Sequence, residues 1–156
     1  AYNAWLPSRN ILNPATRFLY TQPETTLTIP STAAKVISVG AYNDSTQAYA
    51  DFSGRGFTRN GMVKPDLAAP GVDITAPRRG GGYESVSGTS FAAPFVSGSA
   101  ALLMEWGVIL GNDPFLYGEK VKAGLIRGAR QLPGYFRWPN PRLGYGCLCV
   151  KDSIFL

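Results

Sequence analysis

The residues with the clearest chemical potential lie at 87–94, which read Ser-Gly-Thr-Ser-Phe-Ala-Ala-Pro. The pattern predicts a strand that ends near Ser87, a glycine turn, and a helix with Ser90 in its first turn. Free backbone N–H groups and the positive end of a helix dipole converge at such a point, where they would stabilise an oxyanion. Ser90 is therefore a candidate nucleophile. The alternative is that it serves only as a helix cap, the commonest role of a serine before an apolar run.

The sequence lacks the side chain that usually activates such a serine. None of the 156 residues is histidine, and a serine hydroxyl without a general base is a poor nucleophile at neutral pH. No Ser-x-x-Lys pair supplies a lysine base instead. We therefore expect the chain on its own to be unable to hydrolyse peptides.

Metal ligands and disulfides are equally scarce. The only cysteines, Cys147 and Cys149, are two residues apart and would share one face of a strand, where they are too close for an easy disulfide. Without histidine they form no zinc site, and we interpret them as buried thiols. Several aspartates could bind calcium, but none belongs to a defined acidic loop, so turn and surface roles are expected for Asp44, Asp51, Asp66 and Asp73.

The composition indicates a globular domain. Hydrophobic residues make up 45% of the chain, and the 16% of charged residues carry a thinly spread net charge of +5. This distribution gives no strong support for binding to nucleic acid. We count no apolar run that approaches the roughly 20 residues of a membrane span. Neither nucleic acid nor a membrane is therefore expected as a partner.

The elements around Ser90 are those of an α/β protein. Buried strands are predicted at 35–41 and 72–76, and a further strand is predicted at 83–87. Residues 64–71 are interpreted as a proline-bracketed turn between the buried strands. The first 34 residues are predicted to form loops and short strands, the latter at 17–20 and 25–29.

Helices and a final strand complete the expected architecture. Residues 90–106 contain one charged side chain, Glu105, which predicts a helix buried on all sides. The stretch 118–128 has an amphipathic pattern and follows an Asn-Asp-Pro start signal at 112–114. Residues 147–150 are predicted to form a last short strand.

Four segments in order resemble motifs of the subtilisin-like serine peptidases. Residues 88–98, Gly-Thr-Ser-Phe-Ala-Ala-Pro-Phe-Val-Ser-Gly, resemble the signature around the catalytic serine of that family. Upstream, 35–42 resembles its Val-Ile-Ser-Val-Gly-Ala strand, 52–56 its Phe-Ser-x-x-Gly turn, and 64–72 its Lys-Pro-Asp-x-x-Ala-Pro-Gly segment. An unrelated α/β binding domain would need all four matches to be coincidence.

The resemblance implies a role for each matching residue. Ser90 matches the nucleophile, and its own N–H would be one oxyanion donor. Thr89 would lie beside the oxyanion and assist, while Phe91 would face the leaving-group side of the substrate cleft or simply pack in the core. Phe95 stands where the family usually has a histidine, but that histidine is not the catalytic one.

The resemblance also implies what the chain does not contain. The family's catalytic Asp and His precede its serine in the chain, and no motif for either is found here. We therefore interpret 1–156 as the C-terminal half of a three-layer subtilisin-like domain, with 1–34 as an insertion and 35–156 as the core. The sheet is expected to be mostly parallel, with an unpaired edge that the upstream half or a second copy would cover.

Segments outside the catalytic motifs resemble one subgroup of the family, the Csp proteases of spore-forming clostridia. They are 5–30, 111–118 and 140–146. The subgroup implies a secreted or spore-envelope location and includes members that have lost triad residues. The parent is thus expected to be an endopeptidase acting on protein or peptide substrates, or alternatively a pseudoprotease scaffold that binds protein partners. Calcium is possible in the parent, although no defined site for it is seen here.

Overall fold

The computed structural model describes residues 4–6 and 11–154. Its regular elements lie between 39 and 154, and the described part of the first 38 residues consists of turns, bends and extended chain. The short strands predicted at 17–20 and 25–29 are therefore wrong. In chain order the elements are β1 Val39–Asn43, β2 Ala48–Tyr49, β3 Leu67–Pro70, β4 Ile74–Pro77, β5 Tyr83–Val86, α1 Thr89–Met104, a π-helical turn Glu105–Ile109, α2 Gly118–Arg127 and α3 Val150–Ile154.

A parallel pair of strands forms the centre of the sheet. β1 pairs in parallel with β3, with Val39 opposite Leu67 and Tyr42 opposite Pro70, and the order of the three strands is β2-β1-β3. Both central strands are mostly buried, as expected for parallel strands covered on two faces. The prediction of a parallel α/β core is confirmed.

The second buried strand lies earlier in the chain than predicted. β3 occupies part of the segment interpreted as a turn, whereas 72–76 leads into β4, which is half-exposed and pairs with β5 in a separate antiparallel hairpin. Pro70 is compatible with the sheet because the N–H of Ala68 points away from β1, toward Gly146. The nitrogen two residues later points the same way, so the proline removes no bond between the central strands.

Helix α1 packs on β1 and β3 along one face only. Its buried residues, Ala92, Val96, Ser99 and Leu103, recur every three or four positions. On both sides of this face large apolar side chains are exposed, namely Phe95, Leu102 and Met104. The prediction that this helix is buried on all sides is wrong for the chain as it stands, because the described residues provide neighbours for one side of the helix.

Helix α1 continues without a break into the π-helical turn. Together with the π-helical turn it runs over Thr89–Ile109, 21 residues that are long and apolar enough to cross a membrane by length and composition alone. The expectation that no apolar run approaches that length is therefore wrong. The contacts of α1 with the two parallel strands are those of a core helix. Such a helix in the core of a globular protein meets the same criteria.

The C-terminal third covers the other edge of β3. Helix α2 buries Val121 and Leu125, as its amphipathic pattern predicts. The strand predicted at 147–150 is wrong: Cys147 forms isolated bridges to Ala68 and Arg130, and the chain then turns into α3. Of the two thiols, Cys147 is buried and Cys149 is half-buried.

We predict that Gly71→Ala destabilises the chain by about 1–3 kcal/mol, the usual cost of overpacking a core. An added Cβ would lie 2.8 Å from the Cβ of Ala41 and 3.0 Å from the carbonyl oxygen of Gly88. The matched control is Gly98→Ala, since beyond its chain neighbours and the nearby backbone of α1 no described atom lies within 4 Å of a Cβ at that exposed position. The control should be neutral or stabilising by up to about 1 kcal/mol. Urea unfolding followed by tryptophan fluorescence measures both, and equal effects would contradict the packing described.

We predict that Cys147 resists iodoacetamide in the folded chain and reacts after unfolding in urea. Burial, with a smaller contribution from the charge of Asp44, raises its pKa from 9.0 to about 12, so the reactive thiolate is suppressed. Because the folded chain holds this proton more tightly than the unfolded chain, the residue reduces stability as the pH rises from 9.0 toward 12. Mass spectrometry of alkylated peptides provides the measurement, with half-buried Cys149 as the internal comparison. Equal modification of both thiols in the folded chain would refute this.

Candidate active site

The start of α1 is held by backbone hydrogen bonds alone. Gly88 is the N-cap, in a positive-φ conformation (φ 157°, ψ 157°) that residues with a side chain rarely adopt, and no side chain caps the helix. Its N–H donates to the carbonyl of Gly71 over 2.8 Å, which ties the turn to the end of β3. Its carbonyl accepts from the N–H groups of Phe91 and Ala92, at 3.1 and 3.3 Å. The position of Ser90 therefore depends on Gly71 and Gly88.

Ser90 is the second residue of α1 and is exposed, while Thr89 before it is half-buried. Among the described residues, neither the N–H of Thr89 nor that of Ser90 has a hydrogen-bond acceptor, and neither hydroxyl caps the helix. The helix start thus presents unsatisfied donors beside an accessible hydroxyl. This is the arrangement that oxyanion stabilisation requires.

Both residues face a cleft of about 810 Å³. Its opposite walls come from the loop before β1, from the first residue of β1, and from the loop after β2. These walls carry mostly hydroxyl and apolar side chains, including Thr26, Leu27, Thr28, Ser31, Ile37, Ser38, Val39, Phe52 and Ser53. No prediction was made from the sequence for this part of the site.

The two phenylalanines of the motif lie elsewhere. Phe91 is half-buried and is not among the residues that line the cleft; its ring lies against Gly88, within 3.5 Å of where a Cβ would stand. Phe95 is exposed on the outer face of α1. The leaving-group role suggested for Phe91 stays a prediction.

Two charged side chains line the cleft, Asp51 and Arg55. Arg55 lies over the ring of Tyr49, with 5.0 Å from its guanidinium carbon to the ring centroid, and its hydrogen bond to that hydroxyl raises its pKa above the usual value. No group of three or more His, Cys, Asp or Glu residues that could hold a metal ion occurs within residues 4–6 and 11–154. The described cleft therefore offers a guanidinium, a carboxylate and hydroxyl groups but no imidazole.

A buried charge cluster lies behind this cleft. Asp66 accepts hydrogen bonds from the N–H of Ser38 and the ammonium of Lys64, both at 2.7 Å, and its second oxygen lies 2.9 Å from the ammonium of Lys122. Burial lowers the pKa of the Lys64 ammonium, while Asp66 acts in the opposite direction. The surface role expected for Asp66 is wrong. Charged residues flanking Pro65 next to an apolar strand were the signal for this cluster.

A parallel sheet with a helix that begins at a Gly-Thr-Ser turn over a cleft is the architecture of an α/β serine-peptidase fold. A model of the Subtilase family matches residues 19–146. The chain belongs to the subtilase family, as its four motifs indicate. It is similar to the serine protease AprX of Bacillus subtilis strain 168, with 32% identity over 150 residues that cover 83% of this chain and 32% of AprX.

Solved structures give the same assignment. The CspB protease of Clostridium perfringens superposes with a TM-score of 0.87 at 49% identity, covering 92% of this chain and 30% of that one. The patellamide maturation protease PatA superposes with a TM-score of 0.69 at 36% identity, covering 85% of this chain and 46% of that one. The Csp-like resemblance and the subtilisin-like fold are confirmed. The chain spans about a third of the length of AprX and CspB.

We predict that Ser90→Ala leaves the stability of the chain unchanged within about 0.5 kcal/mol, the usual range for surface substitutions. If Ser90 only capped the helix, its replacement would instead cost about 0.5–2 kcal/mol. The control is Ser99→Ala, since the buried hydroxyl of Ser99 donates to the carbonyl of Phe95 over 2.7 Å. Thermal unfolding of the three chains distinguishes the two roles. A marked loss in Ser90→Ala would support the capping interpretation.

Proposed function

We propose that this chain is the nucleophile-bearing part of a serine endopeptidase. The observation that carries the proposal is the exposed hydroxyl of Ser90 at an uncapped helix start, beside backbone N–H groups without acceptors and facing a cleft. Membership of the subtilase family supports protein or peptide substrates.

In the proposed reaction the oxygen of Ser90 attacks the scissile carbonyl and its proton passes to a histidine outside this chain. The N–H of Ser90 donates to the developing oxyanion, and Thr89 assists beside it. The base then delivers the proton to the leaving amine, the C–N bond breaks, and water hydrolyses the ester on Ser90. An extended substrate would bind as a strand along the cleft.

The proposed partner that completes the site is the upstream half of the same domain. On the edge away from β3, β1 is paired by β2 over Tyr42 and Asn43, which leaves its first residues without a strand neighbour among those the structure describes. Apolar side chains of α1, those of Phe95, Leu102 and Met104, are likewise left exposed by the described residues. Both features fit residues 1–156 as part of a larger catalytic domain. The chain alone is expected to be inactive because it contains no histidine.

The second candidate function is a pseudoprotease scaffold that keeps the fold and binds protein partners without cleaving them. The observation in its favour is that the described part of the cleft contains no imidazole to activate Ser90, the charged side chains there being those of Asp51 and Arg55. The two functions differ in whether the remainder of the protein supplies an imidazole to Ser90.

Fluorophosphonate labelling of the full-length protein tests the proposal. We expect the probe to modify Ser90 in the full-length protein and to leave the 156-residue chain unmodified, because only an assembled base makes the hydroxyl reactive. Ser90→Ala in the full-length protein is the control, and mass spectrometry identifies the modified peptide. A folded full-length protein that stays unlabelled would establish the scaffold. Labelling of the isolated chain would contradict its expected inactivity.

A further inference from the structure

The buried charge cluster of Lys64, Asp66 and Lys122 joins separate parts of the fold. Lys64 and Asp66 immediately precede β3, while Lys122 lies in α2. Their side chains are 2%, 4% and 16% exposed, respectively. Charged groups this deeply buried need a full set of polar partners. Their partners show what the cluster holds in place.

Beyond their pairs with one another, these three side chains have their hydrogen-bond partners in the segment 34–38. Lys64 donates to the carbonyl of Val36 over 2.8 Å, and Lys122 donates to the carbonyls of Ala34 and Val36 over 2.9 Å each. Asp66 accepts from the N–H of Ser38 over 2.7 Å. The segment before β1 is therefore held by ionic hydrogen bonds. At its end, the carbonyl of Ser38 also accepts from the backbone N–H groups of Asp66 and Leu67, at 2.8 and 3.4 Å.

The same segment leads directly into the active-site cleft. Ile37, Ser38 and Val39 line the cleft that contains Ser90. Asp66 is continuous with β3, and the residue that follows this strand, Gly71, accepts the hydrogen bond of Gly88 at the start of α1. The cluster thus connects one wall of the cleft to the strand on which the nucleophile turn is anchored.

We propose that Asp66, Lys64 and Lys122 are positioning residues, which set the cleft wall at 37–39 relative to Ser90 and so determine how an extended peptide is held. This inference rests on the proposed peptidase function. None of the three residues lines the cleft, so they act through the backbone of 34–38. Lys122 provides the link from α2. Its loss would free the carbonyl of Ala34 and leave that of Val36 to Lys64 alone, while the pair of Lys64 and Asp66 remains.

The test compares Lys122→Met with the unmodified protein, both as full-length proteins. We expect kcat/KM for an eight-residue fluorogenic peptide to fall by about tenfold, mainly through KM, because a small displacement of a positioning group misaligns the substrate. The rate of labelling by a small fluorophosphonate should stay within about twofold, since that probe needs Ser90 and its oxyanion donors but not the cleft wall. A merely structural role would lower both rates together.

The matched control is Lys120→Met. Lys120 lies in the same helix, but its ammonium lies 2.7 Å from the carboxylate of Asp113 near the surface. Its replacement should change neither the rate of peptide hydrolysis nor the rate of labelling. Lys122→Arg keeps a cation with several donors and should restore most of the peptide activity. Should Lys122→Met fail to fold, Lys122→Gln, which keeps a donor without the charge, is measured in the same way.

The outcomes separate this inference from the function it rests on. An unmodified protein that fails to react with the fluorophosphonate overturns the proposed peptidase. If it does react, equal loss of peptide hydrolysis and labelling in the Lys122 variant, or no loss in either, overturns the positioning role alone. A selective loss of peptide hydrolysis that Lys122→Arg restores supports it.

Discussion

The placement of Ser90 depends on one point of close packing, where β1, β3 and α1 meet at Gly71. A side chain at this position would overlap Ala41 and approach Ala92 and the carbonyl of Gly88. Alanines and glycine here let the helix approach the sheet closely enough for the N–H of Gly88 to bond directly to Gly71. Because that bond fixes the turn before α1, the hydroxyl and free N–H groups of the helix start have a defined direction. Small residues thus perform the positioning that a capping side chain performs in many helices.

The buried charged side chains hold an irregular segment, residues 34–38, beside the sheet. The carbonyl of Val36 within this segment is part-buried, and a buried carbonyl without a donor is costly. Lysine ammonium groups satisfy the carbonyls of Ala34 and Val36, and Asp66 balances part of their charge. Breaking a buried ion pair by removing one partner typically costs about 3–5 kcal/mol. The ion pairs therefore hold residues 34–38 in one conformation, as a cleft wall requires.

The sequence predicted well what depends on local pattern. The helix at Ser90, the amphipathic helix with Val121 and Leu125, and the return strand at 83–86 all lie close to their predicted positions. What it did not predict depends on tertiary contacts. β3 was interpreted as a turn because prolines bracket it, and their compatibility with the sheet is visible only once the partner of each backbone group is known. The cleft walls and the partners of Asp66 likewise bring together residues far apart in sequence.

The exposure of apolar side chains on α1 also depends on tertiary contacts and not on the local pattern. Its apolar pattern is that of a fully buried helix, yet Phe95, Leu102 and Met104 remain near half exposed, at 42%, 48% and 49%. Covering the remainder of three such side chains would contribute about 1 kcal/mol each, from the usual stabilisation of a buried large side chain. The proposed upstream half would gain this stabilisation by packing on the helix that begins at Ser90. Packing of the upstream half on α1 would then also place the general base next to Ser90. The serine would therefore become reactive only in a domain whose core is complete.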